Sequence, residues 1–307
     1  MRRTVALWAL PSTVMLSACG GSGSGVSSTP APPPAQVNSS VASLQFSDTF
    51  SFSPAGVIQY TAARSTGAAT ARAQGPSTTD AAQVRYDASA GSYTLSGLVV
   101  PQVAFGSVDK VAASTNATVT AYQKTTGTRQ DNLALFNAGS GNPVLALTYV
   151  SYGAQQSITD RGSSLDVDTA FFTFGIATAL SDMPRTGTAS YRTNLDGQFA
   201  DASGVYALGG ASSLTADFAA ATVAFSMTPI GTNVVNGGAK TFGTQNINAA
   251  IRSGTNRFNG DSSTNAEGYR GALSGAFYGP QAVEVGGAFS IVGHDGFGTG
   301  AVVGRKN

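Results

Sequence analysis

His294 is the only histidine in the 307 residues and Cys19 the only cysteine, so any chemistry that needs an imidazole or a thiolate has one residue of each kind to work with. His294 stands in Val292-Gly-His-Asp-Gly-Phe-Gly298, a run with the composition of a turn, where a histidine reads as an exposed loop residue. The sharper alternative is an axial haem ligand or a pH-sensitive contact, which makes His294 the one candidate for cofactor binding. Ser107-Val-Asp-Lys110 has the Ser-x-x-Lys spacing of some acyl-transfer enzymes but lacks their accompanying Ser-Asp-Asn. Gly260-Asp-Ser-Ser263 reads as a turn. Asp166 and Asp168 share one face if extended, yet they border a loop and have no third partner. No catalytic residue and no metal-ligand set emerges, and the chain is expected not to be an enzyme.

The setting of Cys19 is more informative. Arg2 and Arg3 precede the apolar runs Val5–Leu10 and Val14–Leu16, the layout of a secretory signal too short to serve as a membrane-spanning helix. Leu16-Ser17-Ala18-Cys19 then resembles the lipobox of bacterial lipoproteins. That resemblance implies removal of residues 1–18, a diacylglyceryl group on the Cys19 thiol, and acylation of the new amine. Two or three chains anchor a protein firmly where one alone does not. Residue 20 is glycine rather than aspartate, which by the same resemblance points to the outer membrane.

Loss of residues 1–18 leaves 15 basic residues against 16 acidic ones, with no cysteine beyond Cys19. Disulfides and thiolate metal sites cannot form in the folded part, and no basic patch for nucleic acid exists. Only 11% of residues are charged while 38 are glycine, a composition that favours turn-rich β structure. Residues 19–40, with Gly-Gly-Ser-Gly-Ser-Gly followed by Pro30-Ala-Pro-Pro-Pro34, lack apolar periodicity and are expected to form a lipidated tether holding the folded part on the order of 25 Å from the lipid.

Two β-rich regions follow. Between 41 and 165, Leu44 and Phe46, Phe50 and Phe52, and Tyr93, Leu95 and Val99 fall on a period of two, with 67–75 and 125–132 expected as loops and 143–153 as a short buried strand. From 166 to 307 the alternation sharpens: Ala170, Phe172, Phe174 and Ile176 share one face. The apolar parity changes between Leu214-x-Ala216-x-Phe218 and Val223-x-Phe225-x-Met227, which requires a turn at Ala219–Ala221. The fold class expected is all-β: an antiparallel handle sheet followed by a soluble eight-stranded barrel with a filled interior. A transmembrane barrel fits less well, because the strands offer too few bulky outward residues for a lipid-facing band.

The segment Ala272-Leu-Ser-Gly-Ala-Phe-Tyr-Gly-Pro-Gln-Ala-Val-Glu-Val-Gly-Gly-Ala-Phe289, with Gly300-Ala-Val-Val-Gly-Arg-Lys306 after it, resembles the terminal barrel signature of transferrin-binding protein B-like surface lipoproteins. Met183–Gly197 and Leu147–Gln156 are similar to the barrel's early strands and the segment before it. The resemblance implies a handle and barrel carried on a lipid tether at the Gram-negative cell surface, with a host protein or an iron-related ligand as partner. Two-lobed transferrin binders exceed this chain's single lobe, so transferrin itself does not carry over. A haem or other small-molecule carrier is the alternative, and a structural lipoprotein without ligand the third. Tyr278, Pro280, Glu284, Gly286 and Gly287 are expected to set a hairpin.

Overall fold

Alternating apolar residues and closely spaced turn formers give nineteen strands among the described residues, all antiparallel to their neighbours. The computed structural model describes residues 37–51, 55–77, 82–97 and 100–307. The expected signal, Cys19 and the tether up to residue 36 lie outside the described residues. The last part of that tether is folded: Asn38 is buried, its side-chain oxygen accepts the backbone N–H groups of Gln45 and Phe46, and its amide donates to Phe46 O at 2.9 Å. The folded unit, Gln36–Asn307, thus starts before the expected boundary at residue 41.

The handle contains two sheets. Strands β1 (Asp48–Ser51), β2 (Ala55–Ala63), β3 (Ala69–Ser77), β4 (Gln83–Asp87), β5 (Ser92–Ser96), β6 (Ala104–Phe105), β7 (Val119–Thr126), β8 (Arg129–Phe136), β9 (Val150–Asp160) and β10 (Ser164–Gly175) sort into β1-β4-β5-β6 and β3-β2-β10-β9-β8-β7. Segments expected as loops at 67–75 and 125–132 are largely strands. Glycines at positive φ, Gly67 and Gly127, confine each turn to a few residues. The strand expected over 143–153 begins only at Val150. Residues 143–149 instead run as a strap along the barrel.

Strand β10 is buried on both faces, which explains its nearly continuous apolar sequence. Phe172 and Phe174 face the small sheet, in a cluster with Phe50, Val84, Leu95 and Phe105. Val167 and Phe171 face the opposite way, toward the barrel. Because β10 pairs with β2 as far as Phe171 and with β9 as far as Gly175, the handle sheet extends ten residues past the expected seam at 165/166.

Strands β11 (Thr188–Asp201), β12 (Gly204–Asp217), β13 (Thr222–Asn233), β14 (Ala239–Thr241), β15 (Gln245–Ile251), β16 (Arg257–Asp261), β17 (Arg270–Tyr278), β18 (Glu284–Val292) and β19 (Gly296–Lys306) form the second body. Pairing of β12 with both β11 and β13 closes eight of them into a barrel, with β14 a short addition to β13. The parity change at Ala219–Ala221 is the β12–β13 turn, where Ala221 adopts φ 53°. Phe225, Phe258, Phe277 and Phe289 fill the interior. Each such ring contributes about 1.5–3 kcal/mol by leaving water. The outer faces of β12 and β13 carry Ala207, Ala211, Ser213, Thr215, Thr222, Ala224 and Thr228, all exposed and small. Among the described residues no helix is long and apolar enough to cross a membrane.

Handle and barrel share a hydrophobic seam of Ile58, Tyr60, Phe136, Val150 and Phe171 against Ala200, Val205, Tyr278, Phe297, Ala301 and Val303. Glu284 is the polar centre of that junction. Its carboxylate, 1% exposed, accepts three backbone N–H groups from the strap: Thr148 at 2.7 Å, Tyr149 at 2.7 Å and Val150 at 2.9 Å. Burial pushes this carboxyl above the ordinary range, against the pull of the three amides and Arg305. Arg192 and Arg305 donate to Val144 O at 2.5 Å and Ala146 O at 2.9 Å, fastening the same strap. Glu284 therefore joins handle to barrel in addition to flanking the hairpin.

Candidate functional site

One end of the barrel gathers the β11–β12 turn at 201–204, the β13–β14 turn at 233–239, the 262–269 loop and the β18–β19 turn at 293–296. Lys240 ties these turns together from below. Its ammonium donates to Asp201 Oδ2 at 2.5 Å and Asp295 Oδ2 at 2.6 Å, and Tyr269 OH donates to the same Asp295 oxygen at 2.8 Å. Asp201 also holds its own turn through the N–H groups of Ser203 and Gly204. Burial acts to lower the Lys240 pKa, but hydrogen bonds to Asp201 and Asp295 outweigh it and keep the ammonium above its ordinary range. At Asp295, burial acts upward, and Lys240 and Tyr269 overcome it to hold the carboxyl below its ordinary value. The ammonium also lies 5.1 Å from the Phe199 ring centroid and 5.6 Å from that of Tyr206.

Above this base the surface turns apolar. Ile230, Val234 and Val235 are exposed by 48%, 58% and 69%, and Val235 lies against the Gly67 turn of the handle. Large aliphatic side chains held outward on the end of β13 and on the braced turn after it form an edge suited to another protein's surface rather than to solvent. Asn233 supports the turn, its side-chain oxygen accepting the N–H groups of Val235 and Asn236.

His294 sits in the neighbouring turn, exposed, between Gly293 and Asp295. Behind it the barrel end is filled by Phe199, Phe242 and Tyr269, whose ring centroids lie 4.6 to 6.0 Å apart. Ser107 and Lys110 are both exposed at a single-turn 3-10 helix, where Asp109 accepts the Gly106 N–H at 2.7 Å. Asp166 and Asp168 pair across the β2–β10 ladder with Thr61 and Gln59, accepting from their side chains at 2.7 Å and 2.9 Å. Gly260 and Asp261 end β16, so only Ser262 and Ser263 belong to a loop. Sequence reasoning missed Lys240, Asp201 and Asp295 because they meet only when three separate hairpins converge.

A second concave surface separates handle from barrel. Its floor is the barrel-facing side of β7, β8 and β9, and its other wall is formed by Asp196 and Gln198 of β11 and Ala207 of β12, around a volume of about 490 Å³. Tyr152 OH donates to the Asp196 carboxylate, and Asn194 donates to it at 3.1 Å. Crowding by the surrounding protein pushes the Asp196 carboxyl up to about 6 although the side chain still reaches the open cleft.

Residues 183–306 match the family described as C-lobe and N-lobe beta barrels of Tf-binding protein B. No curated protein matches the chain in sequence. Among solved structures, a double mutant of Transferrin Binding Protein B from Haemophilus parasuis Hp5 is 18% identical, with 82% of this chain and 44% of that one covered and a TM-score of 0.46. The isotype 1 protein from serogroup B Neisseria meningitidis is 17% identical over 82% and 43% of the two chains, with a TM-score of 0.43. HpuA from Kingella denitrificans, solved in complex with human haemoglobin, is 14% identical over 88% and 91%, with a TM-score of 0.35. The chain spans less than half the length of the two transferrin-binding proteins.

Proposed function

We propose that this chain, whose barrel is of the transferrin-binding protein B type, is a non-enzymatic surface lipoprotein that captures a host protein carrying iron or haem. The observation that carries the reading is the braced apolar edge at the barrel end, Ile230, Val234 and Val235 above the Lys240–Asp201–Asp295 base. A rigid edge loses little conformational entropy on binding, and exposed aliphatic side chains gain by desolvation. The match of residues 183–306 to the barrels of Tf-binding protein B supports an iron-carrying partner. Cys19 and the run before it support attachment through lipid to the outer membrane, on its outer face.

The test is surface plasmon resonance with the protein from Gln36 onward against human transferrin, lactoferrin and haemoglobin, beside a Val234→Asp/Val235→Asp variant. Saturable binding to one of the three that weakens at least tenfold in the variant supports the proposal. Absence of binding to all three removes the iron-carrier reading. Membrane attachment is tested by radiolabelled palmitate incorporation, which Cys19→Ala must abolish. A haem titration beside His294→Ala covers the alternative of a haem carrier, for which a Soret shift lost in the variant is required.

A further inference from the structure

The cleft between handle and barrel has an ordered lining that the surface-binding reading does not use. Strand register lays three rows of side chains across its floor. Ala121, Ala134 and Ala154 align across β7, β8 and β9, with Phe171 of β10 at the end of the row. Three methyl side chains in register leave a trough where larger residues would fill the space. On one side of it Val119 pairs with Phe136, which stacks on Tyr152 with centroids 4.8 Å apart. On the other, Gln123, Asn132, Gln156 and Thr169 form a row of amides and a hydroxyl, Gln123 donating to Asn132 at 3.2 Å and Gln156 to Thr169 at 3.0 Å. The Gln198 side-chain oxygen, on the opposite wall, is buried without a hydrogen-bond partner.

Charge on this lining is one-sided. Asp196 is the only Asp, Glu, Lys, Arg or His among the residues that line the cleft. Its hydrogen-bond donors are the neutral groups of Tyr152 and Asn194, so its negative charge is not balanced by a cation of the lining. A volume of about 490 Å³ falls within the range of small-molecule sites, and an apolar trough with few convergent polar groups is their usual character.

We propose that this cleft binds a small organic cation with an extended apolar body, its ammonium paired with Asp196 and its body laid along the alanine trough against Phe136 and Phe171. The carboxylate supplies the charge preference, the trough supplies the area, and the amide row accepts or donates to polar substituents at the rim.

Decyltrimethylammonium and decyl sulfate carry the same apolar chain with opposite charge. Titrated calorimetrically below their micellar concentrations into the protein from Gln36 onward, the cation is expected to saturate one site and to bind at least tenfold tighter than the anion. Asp196→Asn, which keeps the side-chain shape and an acceptor for Tyr152, is expected to weaken the cation at least tenfold while leaving the anion unchanged or binding it more tightly. Ala207→Trp, placed on the exposed barrel wall where it does not enter the core, is expected to abolish binding of both. Equal affinity for the two probes, indifference to either substitution in a protein that melts normally, or only weak multi-site binding overturns the proposal. Because neither probe nor substitution touches Val234 or Val235, failure here leaves host-protein capture untouched, and the reverse also holds.

Discussion

Replacing Glu284 by alanine should loosen handle from barrel, and the size of the effect follows from three distances. Thr148, Tyr149 and Val150 donate their backbone N–H groups to this carboxylate at 2.7, 2.7 and 2.9 Å, and Val150 is fully buried. An unpaired buried donor costs about 1–3 kcal/mol, and such costs within one network do not simply add. A loss of about 3–5 kcal/mol is therefore expected. At ~2 °C per kcal/mol for a domain of this size, the melting temperature should drop by about 6–10 °C. Glu284→Gln keeps one acceptor oxygen. Placed toward Tyr149 and Val150 it abandons only Thr148, a half-buried donor, for a cost of about 1–2 kcal/mol. Thermal denaturation of the three proteins gives the order, and amide hydrogen exchange locates it. Residues 148–150 should exchange far faster in Glu284→Ala, while β15 and β16 at the far side of the barrel keep their protection. An alanine variant that melts within 1 °C of the parent, or strap amides that exchange as before, would refute the clamp.

Lys240→Ala strands Asp201, whose side chain is 3% exposed, and should destabilise by about 2–4 kcal/mol in urea titration; a change under 0.5 kcal/mol would mean that the turns brace themselves. Gly286→Ala would put its Cβ 2.9 Å from Val150 Cγ2 and 3.2 Å from Thr173 Cβ, forcing barrel and handle apart at a cost of about 1–3 kcal/mol, against no measurable change if the seam is pliable. Asp196 has a folded-state pKa raised from 3.8 to about 6, so its ionisation opposes folding: stability should fall as pH rises through that window, and Asp196→Asn should flatten the slope. In the same window the affinity for decyltrimethylammonium should rise with pH, since only the ionised carboxylate attracts it; a flat profile from pH 5 to 7 would contradict the pairing.

The barrel was legible because its strands alternate large interior residues with small exterior ones, and because the parity change at Ala219–Ala221 could only be a turn. Strands β3, β7 and β8 were not, since Gly, Thr, Asn and Gln carry no apolar period, and those strands acquire their partners from the sheet. The even and odd faces of β10 were read correctly as alternating. Their division between two different cores was not visible, because it depends on a barrel lying over one face. Glu284 reads as a hairpin residue in sequence because its three donors lie about 135 positions away. The alanine trough has the same cause: Ala121, Ala134 and Ala154 are unremarkable until the register aligns them.

Strand β19, the furthest along the chain of the eight barrel strands, lies between β11 and β18 and carries Phe297, Ala301 and Val303 into the seam. Tyr191 pairs with Lys306 and Asp201 with Gly296, partners roughly 100 residues apart along the chain. The handle waits similarly, since β2 finds β10 about as far away. Barrel closure and a complete seam must therefore wait until residues 296–306 are available, and the long loops to be closed make the search slow, on the scale of milliseconds to seconds for topologies of this kind. Until then β11 and β18 present open edges and the handle lacks half of its seam, so the arrival of β19 completes barrel and junction in one step.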